Sequence, residues 1–259
     1  MELFYREYGH GMPFIILHGI LGISDNWVSF GKRISQKGFR VIIPDQRNHG
    51  HSQHHNVFNY YALVDDLVEL IERLGLEKPV ILGHSMGGKV AMRYTLENPS
   101  ITQKLIIVDT SLRTYTRFNY HRTYIDAMLS IDFEKVRTRV ETEEILTAKI
   151  QEDRVRQFLL KNLYWKDKHH LGWRPNLKAI WDNIDAMYDG VFYSTVYKGD
   201  ALFVRGARSD YVLDDDWPVI QRNFPNARLK TIENGSHWVH ADEPERFFAM
   251  VNDFLDEAR

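Results

Sequence analysis

Short apolar runs that end in turns recur along this chain, and they limit its possible folds more than any other feature. Each run is rich in Val, Ile and Leu and leads into a turn with glycine, proline or an acidic residue. The five runs are Pro13 to Leu17, Arg40 to Ile43, Val80 to Leu82, Leu105 to Val108 and Ala201 to Val204. Runs that are apolar on both faces are typical of central strands in a parallel sheet that is covered on both sides.

Several of the segments between these runs have the periodicity of helices. Between Tyr61 and Leu74 the apolar residues fall on one helical face, and Gly75 follows as a stop signal. Strand and helix in alternation predict an α/β fold with a doubly wound, mostly parallel sheet. The alternating stretch from Leu3 to Tyr8 predicts an antiparallel strand at the edge of that sheet.

The rhythm changes between about Leu112 and Lys198, where strand-like runs disappear. The amphipathic helical patterns there cover Ile125 to Val136, Glu143 to Gln151, Val155 to Trp165 and Leu177 to Met187. We therefore expect residues 1–111 and 199–259 to form the core. Residues 112–198 are expected to form an all-helical cap over one edge of the sheet, where a cap shapes substrate access.

The composition excludes several classes of function. A formal net charge of -2 provides no basic field for a nucleic acid or an anionic membrane surface. The chain has no cysteine, so disulfides, thiolate nucleophiles and Cys-ligated metals are excluded. The start lacks the pattern of a secretory signal, and no apolar run has the length of a membrane helix. We expect a cytoplasmic protein whose oligomeric state is open.

The strongest local signal is the pentapeptide Gly83-His84-Ser85-Met86-Gly87. It follows the run Val80 to Leu82 and precedes a helical stretch from Lys89 to Glu97. A tight turn from strand to helix holds its central residue in a strained conformation and exposes the hydroxyl at the edge of the sheet. Bulky side chains two residues to either side would collide. The pattern predicts Ser85 as a catalytic nucleophile.

A serine nucleophile needs a general base, and His237 lies where the pattern places one. It follows the strand-like Arg228 to Ile232 and precedes the final helix, Pro244 to Glu257. Other histidines have simpler interpretations: His18, His49 and His84 lie beside glycines at strand ends and are expected to bind backbone groups. The pairs His54-His55 and His169-His170 are expected to be solvated rather than to bind a metal.

Serine chemistry also needs two N–H donors for the oxyanion that forms on the substrate. The first is expected to be the backbone amide of Met86, the residue after the nucleophile. The second should come from the loop His18-Gly19-Ile20-Leu21-Gly22, which follows the first apolar run. We assign it to Ile20, with Leu21 as the alternative.

Together these residues resemble the α/β-hydrolase superfamily over essentially the whole chain. The strings that carry the resemblance are HGILG with Asn26-Trp27, PDQRNHGHS, GHSMGGKVAM, KLIIVD, LFVRG and GSHWVHADEP. RNHGHS and GHSMGGK are most similar to the YbfF-like esterases. That branch implies an esterase that acts on small acyl esters, with acyl-CoA thioesters as a further possibility, and without a metal or an organic cofactor.

The third catalytic residue is open between two aspartates. Many α/β hydrolases carry the acid in a G-x-x-D pattern, which here starts at Gly206 and reaches Ser209, with Asp210 one residue late. The resemblance implies an acid after the preceding strand instead, and that residue is Asp109. Ser209 is then expected to form a hydrogen bond near His237.

The predicted function is a carboxylesterase that forms an acyl-enzyme on Ser85. Its alternatives are an acyl-CoA thioesterase or a carbon-carbon bond hydrolase that uses the same residues. Two less favoured possibilities are a non-catalytic ligand receptor on this fold and an interaction module that uses the aromatic cap.

Overall fold

A computed structural model of the chain describes residues 1–116 and 120–257. Its centre is a sheet of seven strands, each of which begins or ends within a few residues of a predicted run. The strands are β1 (Tyr5–Tyr8), β2 (Met12–Leu17), β3 (Phe39–Pro44), β4 (Val80–His84), β5 (Lys104–Val108), β8 (Asp200–Gly206) and β9 (Ala227–Ile232), with β6 and β7 outside this sheet.

The strand order across the sheet is β1-β3-β2-β4-β5-β8-β9. All neighbours are parallel except β1, which pairs antiparallel with β3 at the edge as predicted. Phe14, Ile15 and Ile16 of β2 are all fully buried, although they point alternately to opposite faces. Apolar layers therefore cover both faces, as the double-sided apolar runs indicate.

Ten α-helices connect or cover the strands. They are α1 (Val28–Ser35), α2 (Tyr60–Arg73), α3 (Met86–Glu97), α4 (Tyr120–Leu129), α5 (Arg139–Thr147), α6 (Asp153–Leu160), α7 (Leu177–Asp182), α8 (Trp217–Asn223), α9 (Val239–Asp242) and α10 (Pro244–Asp256) among the described residues. The α2 helix buries Val64, Leu67 and Ile71 of the predicted apolar face, but Tyr61 is 69% exposed and Tyr60 is buried instead. The side chain of Asn59 accepts a hydrogen bond from the amide of Ala62 at the start of the helix. The parallel strands all end at one edge of the sheet, where the loops of the predicted site lie.

The prediction that residues 112–198 are all-helical is wrong. Within this segment β6 (Leu163–Trp165) and β7 (Leu171–Trp173) form a small antiparallel sheet, separate from the main one. The helix predicted from Val155 to Trp165 accordingly ends at Leu160, with β6 after it. A run of three residues is too short for a two-residue period to be distinguished from a helical one.

The predicted helix bounds in this segment also shift. Helix α5 begins several residues before the predicted Glu143, because Thr138 accepts from the amide of Glu141 and the Glu141 carboxylate accepts from the Thr138 amide. This capping box sets the start of the helix independently of its apolar face. Helix α4 begins at Tyr120 and ends at Leu129, earlier than the predicted Ile125 to Val136.

No helix among the described residues is both long enough and apolar enough to cross a membrane.

Candidate active site

Ser85 lies in the turn between β4 and α3 with a strained backbone. Its φ angle is 53° and its ψ angle is -119°, outside the regions that side chains with a Cβ favour. The amide of Ser85 donates to the carbonyl of Val108 at 3.0 Å, and the Ser85 carbonyl accepts from Gly88 and Lys89. These bonds hold the turn in place, so the strain is maintained by its surroundings.

Gly83 and Gly87 are required by close backbone contacts. A Cβ on Gly83 would lie 2.3 Å from the carbonyl oxygen of Gly87, and one on Gly87 would lie 2.4 Å from that of Leu17. Both distances are shorter than any van der Waals contact allows. The collision expected from the sequence is therefore present in the structure, and it involves backbone atoms that cannot move aside.

Ser85, His237 and Asp109 form a continuous chain of hydrogen bonds. The Ser85 hydroxyl lies 3.0 Å from His237 Nε2, and His237 Nδ1 lies 2.8 Å from Asp109 Oδ2. The carboxylate can only accept, so the ring proton is on Nδ1 and Nε2 is left as an acceptor for the serine hydroxyl. This geometry suits abstraction of the serine proton by a neutral imidazole.

Asp109 is fully buried and held by further donors. Its Oδ1 accepts from the amide of Gly206 at 3.0 Å, and its Oδ2 accepts from the Ser209 hydroxyl at 2.5 Å. Asp109 follows β5 with a φ of 49°, which turns its side chain toward the end of β8. Ser209 thus reaches the carboxylate beside His237 rather than the imidazole itself.

Asp210 lies on the wall of the cavity, and among the described residues it forms no hydrogen bond to His237. The residue is exposed, and its backbone carbonyl accepts from the Arg113 guanidinium at 2.6 Å. Of the two aspartates left open by the sequence, only Asp109 is within hydrogen-bond distance of His237.

The loop after β2 is fixed by two buried histidines. The amide of Leu21 donates to His49 Nε2 at 3.0 Å, and His49 Nδ1 donates to the Arg47 carbonyl at 2.9 Å. His18 Nδ1 similarly donates to the Gly19 carbonyl at 2.8 Å, and its Nε2 accepts from the Gln46 amide at 3.0 Å. Burial lowers the pKa of His18 to about 4 and that of His49 to about 3, so both rings are neutral.

This arrangement distinguishes the two candidates for the second oxyanion donor. The N–H of Leu21 is occupied by His49. Among the described residues, no acceptor takes the N–H of Ile20, which lies on the wall of the cavity beside Ser85. Met86 is the first residue of α3, where amide hydrogens point out of the end of the helix. Ile20 and Met86 remain the two candidate donors.

A stacked ring and a hydrogen bond hold His237 in place. The ring of Tyr211 stacks on the imidazole with centroids 3.7 Å apart and planes 14° apart. On the other side, His84 Nε2 donates to the backbone carbonyl of His237 at 2.8 Å. His84 therefore binds a backbone group, as expected, while no spacing rule marks Tyr211.

The loop of His237 is also tied to the segment between β5 and β8. Arg154 of α6 forms an ion pair with Asp242, whose side chain is buried. The same carboxylate accepts from the amide and the hydroxyl of Ser236, both at 2.6 Å. A distant arginine, Arg154, thus supports the residue next to His237, and nothing in the local sequence indicates this pairing.

A cavity of about 420 Å³ opens over the Ser85 hydroxyl. Ile20, Leu21 and Trp238 line it from the core, and Tyr124 of α4 and Phe158 of α6 line it from the opposite side. The walls are therefore largely apolar, and the Ser85 hydroxyl and the His237 ring open into the cavity. A site of this kind suits a small ligand with an apolar chain and one reactive polar bond.

The other paired histidines lie apart from this cavity. His54 Nε2 bonds to the Arg174 carbonyl at 2.9 Å, and His55 Nδ1 accepts from the Val57 amide at 2.9 Å. His170 Nδ1 contacts the Asp167 carboxylate at 2.9 Å, and the same carboxylate accepts from the His169 amide. Within residues 1–116 and 120–257, no group of three or more His, Cys, Asp or Glu side chains is arranged to hold a metal ion.

Comparisons with known proteins show the family to which the chain belongs. The family model for the alpha/beta hydrolase fold matches residues 12–244. The chain is 38% identical over 253 residues to an sn-1-specific diacylglycerol lipase of Danio rerio, which covers 95% of this chain and 79% of that protein. It is 29% identical to esterase YbfF of Escherichia coli (strain K12), over 95% of this chain and 93% of that one.

Among solved structures, a marine microorganism esterase matches with a TM-score of 0.95 and 39% identity, covering 98% of this chain and 100% of the other. The chain belongs to the alpha/beta hydrolase fold family. Within that family it resembles the YbfF-like esterases, and it is a serine hydrolase of the esterase and lipase class.

Proposed function

We propose that this protein is a carboxylesterase that cleaves small acyl esters through an acyl-enzyme on Ser85. The observation that carries the proposal is the hydrogen-bonded chain from Ser85 Oγ through His237 to Asp109, with distances of 3.0 and 2.8 Å, at the base of the largely apolar cavity. The names of the esterase relatives support the same reaction type.

The proposed reaction has two steps. His237 Nε2 takes the proton of Ser85 as the serine oxygen attacks the ester carbonyl, and the amides of Ile20 and Met86 bind the oxyanion. The imidazolium then protonates the leaving alcohol. Water, deprotonated by His237, attacks the acyl-serine, the acyl–oxygen bond breaks, and the imidazolium returns its proton to the Ser85 oxygen as the acid is released. Asp109 keeps the imidazole in the required tautomer and stabilises its charged form.

The substrate proposed is a small molecule, and neither a nucleic acid nor a membrane is part of the proposal. The absence of cysteine supports a reducing compartment, so we place the protein in the cytoplasm. Lipase relatives are named for diacylglycerol. Whether this chain accepts such a substrate depends on the acyl length that its cavity admits.

The test uses the purified full chain. p-Nitrophenyl esters of graded acyl length, a diacylglycerol and matched acyl-CoA thioesters are assayed beside covalent labelling by a fluorophosphonate probe. We expect ester turnover and labelling, both of which Ser85→Ala abolishes, with kcat lower by up to about a million-fold. Faster turnover of thioesters than of matched esters would make the protein a thioesterase. Tight ligand binding without turnover or labelling would indicate a receptor.

A further inference from the structure

Outside the hydrogen-bonded chain of Ser85, the most unusual group is a buried lysine one turn further along α3. Lys89 is 1% exposed. Its amine donates to the carbonyl of Arg113 at 2.9 Å and to that of Asp189 at 2.5 Å, with the Tyr188 carbonyl at 3.5 Å. The same amine lies 4.3 Å from the centroid of the Tyr115 ring.

These acceptors belong to the two segments that join the cap to the core. We call residues 111–116 the inbound segment and residues 187–191 the outbound segment. The two segments pair with each other, because Val191 donates to the Leu112 carbonyl at 2.7 Å and Tyr115 donates to the Tyr188 carbonyl at 2.9 Å. Lys89 binds both of them at the point where they run side by side.

Donors from α2 and α3 reach every carbonyl of the outbound segment from 187 to 190. The Tyr60 hydroxyl donates to the Met187 carbonyl at 2.9 Å, and Arg93 donates to the Gly190 carbonyl at 2.7 Å. The Lys89 amine donates to the two carbonyls between them, those of Tyr188 and Asp189. Helix α3 begins at the residue after Ser85, so the base of the cap is bound to the same rigid element as the nucleophile.

Stability alone does not account for this charge. Burial lowers the pKa of the Lys89 amine to about 7, because desolvation disfavours its charged form. Arg93 stands four positions along the same helix, where like charges repel. Replacing a buried charge with an apolar side chain of similar size is often neutral or stabilising. The lowered pKa and the neighbouring like charge both fit a lysine that positions other groups rather than one that stabilises the fold.

We propose that Lys89 is a positioning residue that fixes the base of the cap over Ser85 by binding both connecting segments. Without its amine, the buried carbonyls of Arg113 and Asp189 lose this donor, and the segments have to shift to admit water. The cap side chains Tyr124 and Phe158, which line the cavity, move with them. Substrates long enough to touch these side chains are the ones affected.

The test compares Lys89→Met with Lys104→Met in the full chain. Lys104 is a matched control, because it is 7% exposed and its amine donates to the carbonyls of Phe254 and Glu257, both at 2.8 Å. It is the first residue of β5, at the edge of the sheet opposite the active site. Both variants thus remove a buried amine that binds backbone carbonyls, and only one of those amines binds the cap.

Two readouts are taken, kcat/KM for p-nitrophenyl acetate and octanoate, and hydrogen exchange of the amides of Tyr115 and Val191. For Lys89→Met we expect kcat/KM to fall about tenfold for the octanoate ester and by no more than about threefold for the acetate ester. Effects of this size are typical of residues that couple two sites indirectly. We also expect both amides to exchange faster. In Lys104→Met, the ratio of kcat/KM for octanoate to that for acetate should equal the wild-type ratio. The Tyr115 and Val191 amides should exchange at wild-type rates.

The proposal is wrong if the ratio and the exchange stay at wild-type values in Lys89→Met, or if Lys104→Met shifts them equally. If Lys89→Met does not fold, Lys89→Gln takes its place. Its side chain is shorter and neutral and cannot bind both segments as the amine does, so the same two results decide. The kinetic comparison rests on the proposed ester hydrolysis. If the wild type cleaves no ester, that function fails, while the exchange comparison still tests Lys89.

Discussion

The phenol ring of Tyr211 lies flat against the imidazole of His237, with centroids 3.7 Å apart and planes 14° apart. Tyr211 is buried and also packs edge-on against Tyr115 at 5.2 Å. In the proposed reaction His237 becomes a cation, and the face of an aromatic ring attracts a cation. The ring of Tyr211 thus lies where it orients the imidazole and faces the cation that forms during the proposed reaction.

Replacement of Tyr211 tests this contact. Tyr211→Phe keeps the stacked ring, and we expect its kcat to stay near the wild-type value. Tyr211→Leu keeps an apolar cover but loses the ring face, so kcat should fall about fivefold, which corresponds to a cation–π interaction of about 1 kcal/mol. Steady-state kinetics at saturating p-nitrophenyl ester measure both. Equal kcat values for the two variants would show that the ring face contributes nothing.

The two aspartates left open by the sequence give a second prediction. Asp109→Asn should keep the fold but lower kcat up to about ten-thousand-fold, because an amide no longer fixes the required imidazole tautomer. Asp210→Asn should change kcat little, since Asp210 is exposed and the Nδ1 of His237 is bonded to Asp109 instead.

Melting temperatures of the two variants need to be compared with their rates. Asp109 is fully buried, and a folding defect could otherwise imitate a catalytic one. A large loss in Asp210→Asn beside an active Asp109→Asn would reverse the assignment of the acid.

Buried neutral histidines make the stability of the protein sensitive to acid. Burial lowers the pKa of His18 from 6.5 to about 4, and that of His49 and His240 to about 3. Between pH 6.5 and 4 the unfolded chain therefore binds protons that the folded chain does not. The free energy of unfolding should fall as the pH falls through this window, by up to about 1.4 kcal/mol per pH unit for each histidine.

Urea unfolding at pH 7.0, 5.5 and 4.5 measures this slope. His49→Gln is the matched variant, because glutamine can accept from the Leu21 amide without titrating. The pH dependence of its unfolding free energy should be weaker, and should correspond to about one proton fewer taken up on unfolding. A wild-type stability that is constant from pH 6.5 to 4.5 would contradict the prediction.

Chelation is expected to leave the activity unchanged. The proposed reaction uses only Ser85, His237, Asp109 and two backbone amides, and the His54-His55 pair bonds to backbone groups. Dialysis against EDTA followed by an ester assay is the measurement. Loss of activity that a divalent metal restores would return His54 and His55 to consideration as ligands.

Much of the fold and part of the candidate site were predictable because they are encoded locally. The apolar runs predict the strands of the main sheet, since a buried parallel strand must be apolar on both faces. The glycines at 83 and 87 predict the turn at Ser85, because only a residue without a Cβ fits those backbone contacts. The order of serine and histidine along the chain predicts the pairing of Ser85 with His237.

Other features were decided only by contacts between distant parts of the chain. The carboxylate that meets His237 is 128 residues away in sequence, and its direction depends on the left-handed turn after β5 and on the Gly206 amide of β8. Ile20 differs from Leu21 as a donor because the N–H of Leu21 already donates to His49, which lies in the loop after β3. Residue periodicity records which face of an element is buried, but not which element covers that face.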